Sequence, residues 1–165
     1  MSGLEIERKF LVKPGDTYKR EAYSSSRIKQ GYFAAENTVR VRIRDDKAYL
    51  TIKGPSSNGL SRYEFEKEIT LDEANHLMEL CAPGVIDKTR YLVKCGDHTF
   101  EVDEFYGENQ GLVMAEVELG SEDEPFEKPD FIGMEVTGDR RFYNKHMREY
   151  PFSVWRDTLP AEYRG

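Results

Sequence analysis

The chain has 165 residues, a net charge of −7 and an aromatic fraction of 12 %. Its length suits one domain with a sizeable core, and its aromatic content argues against disorder. We therefore expect a single domain over residues 1–165. The acidic balance disfavours non-specific binding to nucleic acid. The two cysteines, Cys81 and Cys95, do not form a disulfide-rich pattern, which fits a reducing compartment. The sequence also has no signal-peptide or transmembrane pattern, so we expect a cytoplasmic protein without a membrane partner.

Strand patterns dominate the chain, interrupted by a few short helical ones. The first strand is predicted over 3–13, followed by a short helix or turn over 16–22 and a loop at Ser24–Ser26. Strand patterns then cover 28–35, 38–44, 48–53 and 61–70. A helix is expected over 73–81 with Asp72 as its N-cap. Further strands follow over 85–94, 99–106 and 112–120, and a last helix over 139–149.

Charges of one sign recur at every second position in several of these strands, while the alternate positions are largely apolar. Side chains two apart on a strand share a face, so the charges of each tract lie on one face of its strand and are mostly of one sign. The tracts are Glu5/Glu7, Arg40/Arg42/Arg44, Glu64/Glu66/Glu68, Glu101/Asp103 and Glu116/Glu118. A solvated sheet face usually mixes both signs, so the sorting suggests a site that holds cations and anions together.

About eight strands can close into a small barrel. We therefore predict a mainly β (α+β) fold, an eight-stranded antiparallel barrel or tunnel with peripheral helices. The apolar faces would point outward under the helices, and the charged faces would line the lumen. Burying so many charges is unfavourable unless each one meets an opposite charge, a metal or an anion.

The two kinds of tract suit two parts of one ligand. Paired carboxylates are hard oxygen ligands for Mg²⁺ or Mn²⁺, and two divalent ions are conceivable. The forked donors of Arg40 and Arg42 match phosphate oxygens, with Lys53 and Arg90 adding positive charge. A lumen with both would bind a metal–polyphosphate complex. On spacing alone, ordinary solvated sheet faces remain an equal alternative.

The order of several short motifs resembles the CYTH superfamily, also called triphosphate tunnel metalloenzymes. The N-terminal Glu5-Ile6-Glu7-Arg8-Lys9 has the ExExK form of that family, and the rest follows in order up to about residue 145. The later motifs are Gln30-Gly31-Tyr32, Val39-Arg40-Val41-Arg42, Leu50-Thr51-Ile52-Lys53-Gly54, Arg62-Tyr63-Glu64-Phe65-Glu66, Lys88-Thr89-Arg90-Tyr91, Glu101-Val102-Asp103, Ala115-Glu116-Val117-Glu118 and Arg141-Phe142-Tyr143-Asn144.

The resemblance implies a tunnel that hydrolyses triphosphates with divalent metals, and it assigns roles to individual positions. The implied metal carboxylates are Glu5, Glu7, Asp103, Glu116 and Glu118, with Glu64 and Glu66 as supporting acids. The implied phosphate clamp is Arg40, Arg42, Lys53 and Arg90. Lys9 and Tyr32 resemble the pair that positions the attacking water in bacterial short-chain members.

Four functions stay open at this stage. The resemblance is strongest to the inorganic triphosphatases, which implies hydrolysis of tripolyphosphate. A class IV adenylyl cyclase or a thiamine triphosphatase would use the same tunnel, the latter with Trp155 or Phe105 as an aromatic platform. A non-catalytic module that binds polyphosphate or nucleotide is the alternative of another class. The tail over 151–165 is expected either to cap the barrel or to form a homodimer contact.

Overall fold

The structure is a computed structural model, and it describes residues 4–56, 60–81 and 84–165. Within these ranges the chain forms nine strands and four short helices. The strands are β1 (Leu4–Val12), β2 (Ser24–Tyr32), β3 (Thr38–Arg44), β4 (Lys47–Lys53), β5 (Ser61–Ile69), β6 (Ile86–Cys95), β7 (His98–Phe105), β8 (Val113–Glu118) and β9 (Ile132–Glu135). The helices are α1 (Thr17–Glu21), α2 (Leu71–Leu80), α3 (Asn144–Met147) and α4 (Phe152–Trp155).

Eight of the strands close into an antiparallel barrel, as the sequence predicts. Their order is β5-β4-β3-β2-β6-β7-β8-β1, and β1 also pairs with β5 to complete the ring. Within the described residues, the closing seam pairs Leu4, Glu5 and Ile6 of β1 with Tyr63, Arg62 and Ser61 of β5. Beyond the seam, the same edge of β1 pairs with β9, which lies outside the ring.

The outward faces of most strands are covered by helices and loops. The apolar residues of each alternating strand therefore lie on the outside of the barrel, and the charged residues lie on the inside. A buried cluster around Phe10, Phe100 and Val117 packs under Tyr18 of α1 and Phe131. A second cluster packs Val41 and Ala48 against Ala74 of α2. Strand β5 is the exception, since Tyr63 and Phe65 are exposed.

One end of the barrel is filled by apolar side chains, which we call the end cluster. It contains Leu11, Tyr32, Ile86, Phe105, Leu112, Met114, Val136, Phe142, Met147, Phe152, Trp155 and Leu159. The charged positions give way to apolar ones along each contributing strand, for example from Lys9 to Leu11 on β1. The tail packs here through Phe152 and Trp155, whose rings meet edge to face with centroids 5.2 Å apart. Of the two expected roles for the tail, the structure thus shows the cap.

Several local predictions differ from the structure. The N-cap of α2 is Thr70, which exchanges hydrogen bonds with Glu73 in a capping box, rather than Asp72. The predicted loop at Ser24–Ser26 is the start of β2, because these residues pair with β6. The predicted helix over 139–149 is a 3₁₀ turn at 140–142 followed by α3. Strand β9 has no counterpart among the predicted elements. No helix in the described parts of the chain has the length and apolar character needed to cross a membrane.

Gly31 lets α2 approach the barrel wall closely. Its outward-facing position on β2 lies against the helix, and a Cβ atom there would stand 2.8 Å from Sδ of Met78 and 2.9 Å from Sγ of Cys81. Neither distance is compatible with normal van der Waals contact. The glycine in the Gln30-Gly31-Tyr32 motif therefore serves packing, while its two neighbours face the lumen.

We expect Gly31→Ala to lower the free energy of unfolding by about 1–3 kcal/mol, because the added methyl group forces Met78 and Cys81 away from the wall. Urea unfolding followed by circular dichroism measures the loss. Gly54→Ala is the matched control, since its new Cβ would meet Cβ of Tyr63 at an ordinary 3.9 Å. An equal loss in both variants would contradict this account of Gly31.

Candidate active site

The lumen is a charged cavity of about 600 Å³. Its wall includes twelve of the thirteen site residues that the sequence predicts: Glu5, Glu7, Lys9, Tyr32, Arg40, Arg42, Lys53, Glu64, Glu66, Arg90, Glu116 and Glu118. They come from β1, β2, β3, β4, β5, β6 and β8, so the barrel brings together residues that are far apart in sequence. Asp103 is the exception: it is only 2 % exposed and lies beneath Arg90 and Lys88, to which it is bound.

Asp103 is the shared counter-ion of two buried cations. Arg90 donates from Nε to Oδ1 at 2.8 Å and from Nη2 to Oδ2 at 2.9 Å. Nζ of Lys88 lies 2.7 Å from Oδ2. Burial alone would raise the pKa of Asp103, but Arg90 and Lys88 outweigh it and lower that pKa. Both carboxylate oxygens are thus already bound to protein cations.

Four basic side chains from β3 and β6 form what we call the cation wall: Arg40, Arg42, Lys88 and Arg90. Burial lowers the pKa of Arg42 to about 9, with Arg40 and Arg90 adding to the effect. Arginine stays protonated at neutral pH, so Arg42 keeps its positive charge beside those of Arg40 and Arg90. Burial, opposed by Asp103, likewise lowers the pKa of Lys88 to about 7.

In the described part of the chain, the cation wall also has one buried hydrogen-bond donor that is unused. Nε of Arg40 is buried without a partner among the described residues. Arg42 donates from Nε to Oε1 of Gln30 at 2.9 Å. Buried donors and excess positive charge are both unfavourable unless an anion is present. The wall is therefore suited to an anion with several oxygen atoms.

Facing these cations is an acidic wall of four carboxylates, Glu5, Glu7, Glu116 and Glu118. The strand register sets like charges directly opposite each other, Glu7 against Glu118 and Glu116 against Glu101. Such pairs destabilise a sheet unless something neutralises them. Burial and the charge of Glu116 raise the pKa of Glu7 well above its usual range.

The acidic wall is only partly neutralised by lysines. Nζ of Lys53 is 2.9 Å from Oε1 of Glu5, and Nζ of Lys9 is 3.9 Å from Oε1 of Glu116. Burial would raise the pKa of Glu116, but Lys9 and a hydrogen bond from Glu7 outweigh it and lower that pKa. Glu7 and Glu116 thus differ in proton affinity although they are close neighbours.

Lys9 and Tyr32 both line the cavity but have different partners. Lys9 donates from Nζ to the backbone oxygen of Phe142 at 3.3 Å and lies 4.7 Å from the centre of the Tyr143 ring. The hydroxyl of Tyr32 accepts from Nε2 of Gln30 at 2.8 Å. Tyr143 is therefore the aromatic neighbour of Lys9 in this structure.

The sequence prediction missed several polar residues of the site, among them Gln30, Lys88, Tyr143 and Asn144. Lys88 could have been found, because it precedes Arg90 by two positions on a strand and must share its face. Gln30 stands in the same relation to Tyr32. Tyr143 and Asn144 follow a 3₁₀ turn, where no strand periodicity indicates which side chains face inward.

The aromatic platform proposed for a thiamine substrate lies elsewhere. Phe105 is 1 % exposed and Trp155 is 8 % exposed, and both belong to the end cluster. Trp155 also packs edge to face on Phe142, with ring centroids 5.1 Å apart. Both rings are committed to the core.

Comparison with known proteins agrees with this geometry. The model of the CYTH domain family matches residues 3–143, which include all the strands of the barrel. The chain belongs to the CYTH domain family. The ring of eight strands and its charged lumen are thus the family's fold in this chain.

Two curated CYTH relatives are similar over almost their full lengths. An inorganic triphosphatase of Acetivibrio thermocellus is 49 % identical over 158 residues, covering 94 % of this chain and 99 % of the relative. An inorganic triphosphatase of Nitrosomonas europaea is 36 % identical over 147 residues, covering 86 % and 94 %. The solved structure of the inorganic triphosphatase NE1496 superposes with a TM-score of 0.63 at 31 % identity, covering 87 % of this chain and 97 % of that one.

The acidic wall of this CYTH domain fits a divalent cation by its chemistry. Among the described residues, no three His, Cys, Asp or Glu side chains form a ready-made metal cluster. The donors are nevertheless hard carboxylate oxygens, which Mg²⁺ and Mn²⁺ prefer. The opposed pairs Glu7–Glu118 and Glu116–Glu101 supply negative charge that a cation would neutralise.

We expect Asp103→Asn to lower the free energy of unfolding by about 3–5 kcal/mol, because it leaves Arg90 and Lys88 buried without their counter-ion. Urea unfolding measures the effect. Glu135→Gln is the matched control: Glu135 also receives two hydrogen bonds from one arginine, Arg8, but its side chain is 33 % exposed. That variant should lose at most about 1 kcal/mol, and similar losses in both would refute the buried role of Asp103.

Proposed function

We propose that the protein is an inorganic triphosphatase that hydrolyses tripolyphosphate inside its tunnel with the help of Mg²⁺ or Mn²⁺. The observation that carries this proposal is the buried cation wall. Its four basic side chains are accompanied by one buried carboxylate, Asp103, and they face a wall of carboxylates across the cavity. A short polyphosphate complexed with a divalent metal complements both walls. The two curated relatives named inorganic triphosphatase support the same substrate.

The cation wall would bind the phosphate chain. Arg40 and Arg42 can each direct two parallel N–H donors at phosphate oxygens. Lys88 and Arg90 both bind Asp103, which holds the two cations in place. Lys53, paired with Glu5 at the border of the two walls, would reach an oxygen from the acidic side. These charges are fixed before the substrate arrives, so they can stabilise negative charge in the transition state without reorganising.

The acidic wall would hold the metal through Glu5, Glu7, Glu116 and Glu118, with Glu64 and Glu66 as supporting acids. A bound divalent ion neutralises phosphate oxygens and promotes attack on phosphorus. Asp103 has a different part in this proposal from the metal ligand that the resemblance implies. Because Arg90 and Lys88 occupy both of its oxygens, we assign it to positioning the cation wall.

Lys9 would position the attacking water. Its ammonium group is buried between the carboxylate of Glu116 and the ring of Tyr143, where it can donate to a water oxygen. Water then forms a new bond to phosphorus as the bridging P–O bond breaks, and one water proton passes to the phosphate products. The step gives phosphate and pyrophosphate. Tyr32 stays the predicted second group, with its hydroxyl oriented by Gln30.

We expect the purified protein to release phosphate from tripolyphosphate when Mg²⁺ or Mn²⁺ is added, and to do so faster than from ATP or thiamine triphosphate. The tunnel offers polar contacts to phosphates, whereas the proposed aromatic platform is buried. Phosphate release and cyclic AMP formation are measured side by side. Cyclic AMP as the main product would replace the proposal with an adenylyl cyclase, and binding without turnover would replace it with a binding module.

We expect Arg40→Ala and Glu116→Ala each to lower kcat/KM by about 100-fold or more, for different reasons. Glu116→Ala should raise the metal concentration needed for half-maximal rate, since it removes a ligand. Arg40→Ala should leave that concentration unchanged. Titrations of Mg²⁺ and Mn²⁺ at saturating substrate separate the two.

The control for this pair is Arg27→Ala, which removes an arginine that pairs with Asp87 outside the lumen. It should keep the wild-type rate and metal dependence. If Glu116→Ala shows the wild-type metal dependence, Glu116 is not a metal ligand.

A further inference from the structure

Residues Phe142, Tyr143 and Asn144 run along the base of the lumen, between the charged cavity and the end cluster. The side chain of Phe142 is buried in the end cluster, and its backbone oxygen accepts from Lys9. The ring of Tyr143 lies beside Lys9 at 4.7 Å and beside the guanidinium of Arg62 at 5.8 Å. This segment, which lies outside the barrel strands, therefore contacts the charged side chains of several strands.

Asn144 has the most specific contacts of the three. Its Oδ1 accepts two hydrogen bonds, one from Nζ of Lys88 at 2.9 Å and one from Nε2 of Gln30 at 3.0 Å. These donors belong to β6 and β2, which are neighbours in the barrel. Two donors on one oxygen fix the orientation of the amide group.

The hydrogen bonds continue from Asn144 to the rest of the cation wall. Oε1 of Gln30 accepts from Nε of Arg42 at 2.9 Å. On the other side, Lys88 contacts Asp103, which also binds Arg90. Asn144 is thus the link in a continuous polar chain that joins Arg42 on β3 to Arg90 on β6.

We propose that Asn144 is a positioning residue for phosphate binding: it acts through Gln30 and Lys88 to hold Arg42 and Lys88 in one arrangement. The basis is physical. The like charges of this wall repel each other. The uncharged oxygen of Asn144 restrains Lys88 directly and Arg42 through Gln30, without neutralising either. A carboxylate at this position would cancel charge that the phosphate chain needs. This inference rests on the proposed function for its substrate.

The test is binding of inorganic tripolyphosphate measured by calorimetry in the presence of EDTA, so that neither metal nor turnover contributes. Asn144→Leu keeps the approximate size of the side chain and removes the acceptor. We expect it to weaken binding about tenfold, the effect of one lost hydrogen bond to a charged group. In the turnover assay with metal, KM should rise by a similar factor while kcat changes less.

A second variant tests the route to Arg42. Gln30→Leu breaks the same chain one step further on, so we expect it to weaken binding by a similar factor. The double variant should lose clearly less than the product of the two single losses, because both changes interrupt one path. Losses that multiply fully would show that Asn144 and Gln30 act separately, and would overturn the proposal.

Asn109→Leu is the matched control for a purely structural effect. Asn109 is also a buried asparagine whose side-chain oxygen accepts one hydrogen bond, from the backbone nitrogen of Phe152 at 2.8 Å. It lies outside the lumen, so its loss should lower the melting temperature and leave tripolyphosphate binding unchanged. Equal weakening of binding in Asn109→Leu and Asn144→Leu would mean general loosening of the fold, and would refute the proposal.

Two further outcomes have defined meanings. If Asn144→Leu does not fold, Asn144→Ala carries the same expectation, and wild-type affinity in it overturns the inference. If the wild-type protein binds tripolyphosphate but does not hydrolyse it, the proposed function fails, while the binding comparison still decides the role of Asn144.

Discussion

The buried cluster of Asp103, Arg90 and Lys88 is the constraint on which the lumen depends. A barrel interior of this size would ordinarily fill with apolar side chains, and charges are tolerated there only with partners. Asp103 supplies one negative charge to two cations, so the group keeps a net positive charge at the centre of the fold. This net positive charge adds to those of Arg40 and Arg42. The lumen is therefore suited to binding an anion, because its cations are not all paired with carboxylates of the protein.

The division of the lumen into two walls follows from strand order. Strands β3, β2 and β6 are adjacent, so the arginines of β3 and the basic pair of β6 come close across β2. Strands β8 and β1 are adjacent on the other side and carry the carboxylates. Lys9 and Lys53 stand among the acids, where they limit the repulsion without removing it. The like-charged tracts of the sequence thus become opposite sides of one cavity.

The barrel and most of its lining could be predicted from the sequence because period-two charge alternation fixes which face of a strand a residue occupies. Eight of the predicted residues that line the cavity come from these charged tracts, whereas Lys9 and Tyr32 were predicted from the family resemblance. Contacts between strands could not be predicted this way: the pairing of Asp103 with Arg90 depends on register, and Asn144 comes from a turn without periodicity. The N-cap of α2 was misplaced because Thr70 and Asp72 both suit that position, and only Thr70 has a Glu three residues later.

Neighbouring strands of the ring differ in the number of positions at which they pair. Strands β6 and β7 pair along eight positions, whereas β1 and β5 pair at three positions within the described residues. Backbone amides next to a junction of three pairs should exchange with solvent through small local openings, well below the energy of global unfolding. Glu5 and Arg62 lie at this junction, opposite each other. An outward movement of the hairpin of β4 and β5 at this junction would widen the cavity. It would also pull on the cation wall, because Nη2 of Arg40 donates to Oγ1 of Thr51 on β4 at 3.2 Å and lies 3.8 Å from Oε2 of Glu66 on β5.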